Sequence, residues 1–416
     1  MVNATLDVAP WMNIHAVQAL FSALGAPETD VRFVGGCVRD SILSRQIKDI
    51  DVATPDEPGS VVEKLSAAGI KVVPTGLAHG TVTAVVDGQA FEITSLRKDT
   101  ACDGRHADVQ FTTDWVEDAS RRDFTFNALS MRQDGTLFDP FGGVADAKAG
   151  RVLFVGDPGD RIQEDYLRIL RYFRFLALYG KHDPDRGILE VCAMHQEGLA
   201  SLSIERVRDE FVKLLSAPDP TQSLMAMAES GALKAVAKDT QIDLRLDLLI
   251  KAEKALALAW GSGGVGWIRR WVFLFGQSAT DIAQRIKISR KNALKIQDCS
   301  AAAVAAATVA GLVDLNRFLY AFANGSEPRN EAVEGVVIAF ARAENAKTND
   351  WASLLHKAQM WTRVRFPLTG ADVQALGVSE GPEIGMLLKA VEQEWVDGGF
   401  NASREDLRAR LNALVK

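Results

Sequence analysis

The run VRFVGGCVRD (residues 31–40), followed nine residues after Asp40 by DID (residues 49–51), decides the fold. A β-rich segment that ends in Gly35-Gly36 and passes into a helix exposes backbone N–H groups and a positive helix terminus to an incoming phosphate. On a strand, residues i and i+2 point to one face, so Asp49 and Asp51 present two carboxylates side by side. Like charges held that close are costly unless a divalent cation lies between them. Taken singly, a D-x-D pair is equally at home as a solvated strand end, and Gly35-Gly36 as a plain turn. A triphosphate carrying Mg²⁺ satisfies both halves at once. A dinucleotide site is excluded by spacing, because no G-x-G-x-x-G lies nearby. Glu92, in AFEIT (90–94), could bring a third carboxylate from a neighbouring strand or be an ordinary polar strand residue.

Around this stretch, residues 31–97 read as mixed α/β. Short β-rich runs are bounded by Gly, Pro and Asp, with helical segments after Gly36 and over Val61–Ala68. The Asp87-Gly88 turn makes consecutive strands antiparallel, so the sheet is not purely parallel. From about residue 160, Leu/Ala/Arg-rich segments at helical spacing run almost to the C-terminus, and Gly261–Gly266 and Asn324–Asn330 read as joints between them. The chain has 416 residues, 47% of them hydrophobic, enough for two to four structural units. No run of about 18 apolar residues is present, and the first Lys or Arg is Arg32, so the expectation is a soluble, cytoplasmic protein without a membrane partner. The four cysteines are dispersed without a CxxC pair, which argues against a zinc site and a disulfide framework. The net charge of -7 neither supports nor excludes RNA, since only a local patch needs to be basic.

Five motifs in order carry a resemblance: GGCVRD…DID (35–51), FEITSLR (91–97), RRDFTFNA (121–128), EDYLRILR (164–171) and SIERV (203–207). The sequence resembles the class II tRNA nucleotidyltransferase and bacterial poly(A) polymerase family over roughly residues 31–215. The resemblance implies an α+β fold: a polymerase-β-like nucleotidyltransferase head (1–150), then an all-α neck reading the nucleotide base (151–215), body (216–325) and RNA-binding tail (326–416). It implies two-metal phosphoryl transfer that extends an RNA 3′ end. Asp49 and Asp51, with Glu92 as a third candidate, would hold Mg²⁺. Gly35, Gly36 and Arg39 would meet the triphosphate and Arg122 the nucleotide. Asp123 and Asn127 would bond ribose hydroxyls. Asp165, Arg168, Arg171 and Arg174 would meet the base and phosphates.

The segment Glu164–Leu178 reads as one helix, with Leu167, Leu170, Phe173 and Ala177 on its apolar side and Arg168, Arg171 and Arg174 along another. Asp165 and Arg168, three apart, would form a helix salt bridge in the plain reading. In the functional one, a carboxylate acceptor beside a guanidinium donor suits cytosine and adenine, each of which offers an amino donor next to an unprotonated ring nitrogen. Guanine and uracil present a carbonyl next to an N–H and would leave buried groups unpaired, at roughly 1–3 kcal/mol each. The expected activity is CCA addition to the tRNA 3′ end from CTP and ATP, with no DNA partner; the alternatives are poly(A) or partial (CC or A) addition. PTGLAHGT (74–81) and DGRHADV (103–109) resemble the CCA-adding branch, and Lys98–Val109 reads as an irregular loop that could switch the site from C to A. His79 reads as a turn former, His106 is open between solvation and substrate contact, and His182-Asp183 lacks the further ligands of a metal phosphohydrolase. Arg285, Lys287, Arg290, Lys291 and Lys295, and separately Arg269-Arg270-Trp271, could contact RNA or form solvated faces. Gly381-Pro382 could open a helix that holds a phosphate or merely cap it. Small-molecule nucleotidyl transfer would not need Asp165, Arg168 or some 200 further helical residues, and a non-catalytic RNA-binding protein would not need both Asp49 and Asp51.

Overall fold

The computed structural model describes residues 5–73, 76–77, 80–102, 107–255, 266–309, 311–324, 327–328, 330–343, 350–379 and 381–415. His79, His106 and most of the Gly261–Gly266 stretch lie outside the described residues. The chain forms two compact units: residues 1–214 with 222–235, and residues 215–221 with 236–416.

The first unit is built on a seven-stranded mixed sheet in the order β3-β4-β5-β2-β1-β8-β9. Its strands are β1 (Arg32–Val34), β2 (Asp51–Thr54), β3 (Lys71–Val73), β4 (Thr81–Val86), β5 (Gln89–Ser95), β8 (Ser130–Met131) and β9 (Leu137–Phe138). The β4–β5 hairpin closes through Asp87 and Gly88 at φ 51° and 78°, the pair of positive φ values that a two-residue type I′ turn demands. Between β5 and β8 in the chain, β6 (Arg97–Cys102) and β7 (Ala107–Phe111) form a separate antiparallel ribbon. Lys98–Val109 is therefore not irregular on either side of residues 103–106. It lacks an apolar alternation, yet backbone pairing such as Arg97↔Phe111 and Lys98↔Gln110 supplies the order.

Helices α1 (His15–Ala23), α2 (Gly36–Ile42) and α3 (Pro58–Ala67) belong to the sheet domain, whose core joins Val17, Leu20 and Phe21 of α1 to Phe33, Val52, Phe91 and Ile93 of the strands. Then follow α4 (Trp115–Ser120), α5 (Gly143–Ala149), α6 (Pro158–Glu164), α7 (Leu167–Tyr179), α8 (Arg186–His195) and α9 (Ile204–Leu215). The single helix expected over Glu164–Leu178 is broken. Asp165 is extended (φ −153°, ψ 104°), and its Oδ1 accepts the N–H of Leu167 at 3.1 Å, so this carboxylate starts a new helix rather than continuing the old one.

Among the described residues the second unit is helical apart from a two-stranded ribbon, Ala323–Asn324 with Glu327–Pro328, in the stretch read as a joint. Arg269, Arg270 and Trp271 are not an RNA-facing patch: all are at most 1% exposed. Glu253, fully buried, accepts from Arg269 Nε (2.9 Å) and Arg270 Nη2 (2.7 Å), Glu334 accepts from Arg269, and Arg270 also caps the carbonyls of Leu215, Ala217 and Pro218. Burial without these partners would be prohibitive, so basic residues and acids enter the core as one neutralised group. Arg285, Lys287, Arg290 and Lys291 are exposed. Replacing Glu253 with leucine should lower the stability of this unit by about 3–5 kcal/mol, since two buried guanidiniums lose their shared acceptor. Urea unfolding followed by tryptophan fluorescence would measure it, and an unchanged midpoint would show that the cluster contributes nothing.

Candidate active site

The turn after β1 is made by Gly35, whose φ of 67° is left-handed and disfavours a side chain. A Cβ there would lie 3.4 Å from Arg122 Nη1, and one on Gly36 would lie 3.6 Å from Arg39 Nη2. Two glycines thus keep the backbone open directly beside two guanidiniums. Under this turn the Cys37 thiol donates to the Val34 carbonyl at 3.3 Å, and burial pushes its pKa up to about 12, so it is a packing group and not a nucleophile.

The carboxylates arrive from the adjoining strands. Asp51 opens β2, while Asp49 lies just ahead of the strand and is exposed, with Ile50 between them buried. Parallel pairing of β2 with β5 sets Asp51 opposite Glu92. The contact that sequence left open is therefore made by strand register. Burial, the Glu92 charge and the Asp49 charge together push the Asp51 pKa from 3.8 up to about 6, against the pull of Arg122. All three donors are hard oxygens, the ligand type that Mg²⁺ prefers. Among the described residues no group of three or more His, Cys, Asp or Glu side chains is arranged to hold a metal.

A cleft of about 770 Å³ gathers all thirteen candidates for the metal and the nucleotide: Gly35, Gly36, Arg39, Asp49, Asp51, Glu92, Arg122, Asp123, Asn127, Asp165, Arg168, Arg171 and Arg174. It also contains Thr81, Thr94, Arg97, Arg121, Arg206 and Lys213, which sequence reasoning had not placed there. Nine cationic side chains face five acidic ones along its wall, a surplus that favours a polyanion.

Most of these cations are held from behind. Asp118 of α4, 2% exposed, accepts from Arg121 Nη2 at 2.6 Å, from Arg122 Nη2 at 3.1 Å and from the Arg97 backbone N–H at 3.3 Å. Burial alone would raise its pKa, but Arg122 and Arg121 outweigh it and keep the carboxyl below the usual range. Asp123 Oδ1 accepts from Asn127 Nδ2 at 2.9 Å and its Oδ2 from Arg171 Nε at 2.6 Å, while Asn127 Oδ1 accepts from Arg39 Nη1 at 2.6 Å. Glu210 of α9 accepts from Arg174 Nε at 2.5 Å. Asp118 and Glu210 escaped the sequence reading. The spacing of Asp118 to Arg121 and Arg122, i+3 and i+4 on a helix, was the signal available for the first; Glu210 is remote in sequence from its partner.

Asp165 and Arg168 line the same cleft but do not pair. Asp165 Oδ2 accepts from Arg206 Nη2 at 2.7 Å. Arg168 donates to Glu164 Oε2 at 2.7 Å and to the carbonyls of Arg161 (3.0 Å) and Arg121 (2.9 Å). The plain reading as a helix salt bridge is thus replaced by two separately anchored groups, because the break at Asp165 turns its side chain away from the helical i+3 position.

The segment 31–153 matches the family model described as the poly A polymerase head domain, and 185–243 the one described as a probable RNA and SrmB-binding site of polymerase A. The mitochondrial CCA tRNA nucleotidyltransferase 1 of Mus musculus is 34% identical over 408 residues, which cover 94% of this chain and 89% of that protein. The crystal structure of the Bacillus stearothermophilus CCA-adding enzyme in complex with CTP superposes with a TM-score of 0.68 at 25% identity, covering 96% of this chain and 97% of that one. The Thermotoga maritima CCA-adding enzyme, solved in complex with tRNA, shares the fold with a TM-score of 0.68 at 20% identity over the full length of both chains.

A raised carboxyl pKa in the fold means that the Asp51 contribution to stability is fully present below pH 3.8 and is lost as pH rises through about 6. Without divalent ions, Asp51→Asn should therefore melt above wild type at pH 7.5, and the difference should close as pH falls from about 6 toward 4. Scanning calorimetry across that range checks it; a variant that melts lower at pH 7.5 contradicts the electrostatic assignment.

Proposed function

Because the chain belongs to the CCA tRNA nucleotidyltransferase family, we propose that it adds C, C and A from CTP and ATP to the tRNA 3′ end and releases pyrophosphate. The observation that carries this reading is the cleft in which the Asp49, Asp51 and Glu92 carboxylates face a phosphate-sized turn and a ring of anchored arginines. Asp49 and Asp51 would hold Mg²⁺, with Glu92 adjoining. When bound, the ion lowers the pKa of the RNA 3′-hydroxyl and offsets charge on the departing pyrophosphate.

The chain's own residues supply the rest by positioning. Gly35 and Gly36 admit the triphosphate close to backbone; Arg39 and Arg122 meet its oxygens with N–H groups already oriented by Asp40, Asn127 and Asp118. Asp123 and Asn127, both buried, face the ribose, although each already carries a protein bond, so a ribose hydroxyl would join an existing network. Asp165 and Arg168 read the Watson–Crick edge of cytosine or adenine, and Arg171 and Arg174 neutralise phosphate nearby. Residues 151–215 act as the base-reading neck, 216–325 as the helical body and 326–416 as the RNA-binding tail. The surface basic cluster Arg285–Lys295 and the helix opened by Gly381-Pro382 are candidates for the tRNA backbone. Poly(A) tailing fits the head equally, but the full-length relatives are named for CCA addition. Among the described residues no helix is long and apolar enough to cross a membrane. The cytoplasm is the proposed site of action, while the Mus musculus relative is named as mitochondrial.

Incubation with tRNA lacking its 3′ end and single labelled nucleotides tests the assignment: C, C, A in order is expected, and a long A ladder would favour tailing instead. Asp49→Ala and Asp51→Ala should each cut incorporation by about 10³-fold or more. Asp165→Ala should relax base choice, raising GTP or UTP incorporation relative to CTP by about 10-fold or more, since each mispaired buried group costs roughly 1–3 kcal/mol. Unchanged discrimination would remove Asp165 from base reading.

A further inference from the structure

We infer that Tyr179 is a positioning residue: from the last turn of α7 it sets the Arg39 guanidinium beside the Gly36 turn, given the triphosphate contact proposed for Arg39. Arg39 is only 7% exposed. Its Nε and Nη2 donate to the two oxygens of Asp40 at 2.9 and 3.0 Å, and its Nη1 donates to Asn127 Oδ1 at 2.6 Å. Asp40, the residue that orients this fork, is itself held by the Tyr179 hydroxyl, which donates to Asp40 Oδ1 at 2.8 Å.

The same side chain supports the cation through its ring. The Arg39 guanidinium carbon lies 4.3 Å from the Tyr179 ring centroid, closer than to Phe175 (5.4 Å) or Phe126 (5.8 Å). Arg45 lies a further 4.3 Å from that ring and donates to the Leu178 carbonyl at 2.7 Å. Tyrosine combines both supports, hydrogen bond and π face, in one rigid group. Burial raises the Tyr179 pKa, so the phenol keeps the proton it donates. The remaining N–H of Arg39 Nη2 stays near Gly36, where an added Cβ would lie at 3.6 Å.

α7 also carries Arg168, Arg171 and Arg174, so one helix would orient the base-reading and phosphate-gripping groups together. A strut that merely tied α2 to α7 would weaken folding and all substrates alike. Phosphate positioning would weaken nucleotide binding alone.

The test uses the full-length protein with Tyr179→Phe, which removes the hydroxyl, and Tyr179→Leu, which removes the ring as well. Equilibrium dialysis gives Kd for ATP and CTP with Mg²⁺, and steady-state kinetics give KM for nucleotide and tRNA. Nucleotide Kd and KM should rise about 3–10-fold in the phenylalanine variant and further in the leucine variant, with the tRNA KM and the Tm of the phenylalanine variant near wild type. Wild-type nucleotide Kd in both variants, or nucleotide and tRNA constants rising together with a lowered Tm, overturns the inference. Because Kd is read without turnover, a wild type that binds ATP yet adds no nucleotide would sink CCA addition while still deciding the role of Tyr179.

Discussion

The parallel pairing of β2 with β5 forces Asp51 and Glu92 into register, and Asp49 follows just ahead of the strand, so three carboxylates line one cleft. Register is a rigid constraint because a slip by one residue would turn every side chain of the strand to the opposite face and expose Val52 and Ile93, which are fully buried. The hydrophobic core thus holds in place an arrangement of like charges that repel one another.

Opposite the acids stands a set of arginines whose freedom has been removed. Asp118 holds Arg121 and Arg122, Asp123 holds Arg171, Glu210 holds Arg174, Asp40 holds Arg39 and Glu164 holds Arg168. A guanidinium has five N–H donors in a planar fork, so one edge can be bonded to a buried acid while another remains for a ligand; lysine has no such second edge. Anchoring the cations beforehand removes the cost of ordering them when a polyanion binds. The Phe175 ring beneath Arg174, at 4.1 Å, and near Arg39 and Arg171 adds a shared apolar floor.

The second unit uses the same residue types for a different end. Arg269, Arg270, Glu253 and Glu334 neutralise one another inside a helical core and leave no charge for a ligand. The helix Gly266–Phe275 is buried on every side, so its two arginines had no solvent face to occupy. Identical side chains therefore line a cleft in one place and hold a core together in another, and depth in the fold separates the two.

Local chemistry was legible in the amino-acid order. The Gly35-Gly36 turn, the Asp87-Gly88 hairpin and the arginine-rich α7 all act within a few residues, where spacing alone dictates geometry, whereas Asp49 lies ahead of the strand expected to carry both acids. The family motifs extended this to thirteen cleft residues. What the order of residues left open was the distant partners of charged groups, because Glu210 for Arg174, Arg206 for Asp165 and Glu92 for Asp51 are about 40 residues apart in the chain. The helix break at Asp165 likewise depended on a capping bond outweighing a favourable periodicity. Sequence thus determined which chemistry the chain carries. Only the tertiary structure, through strand register and burial, decided which charges meet, which are cancelled and which remain to face a ligand.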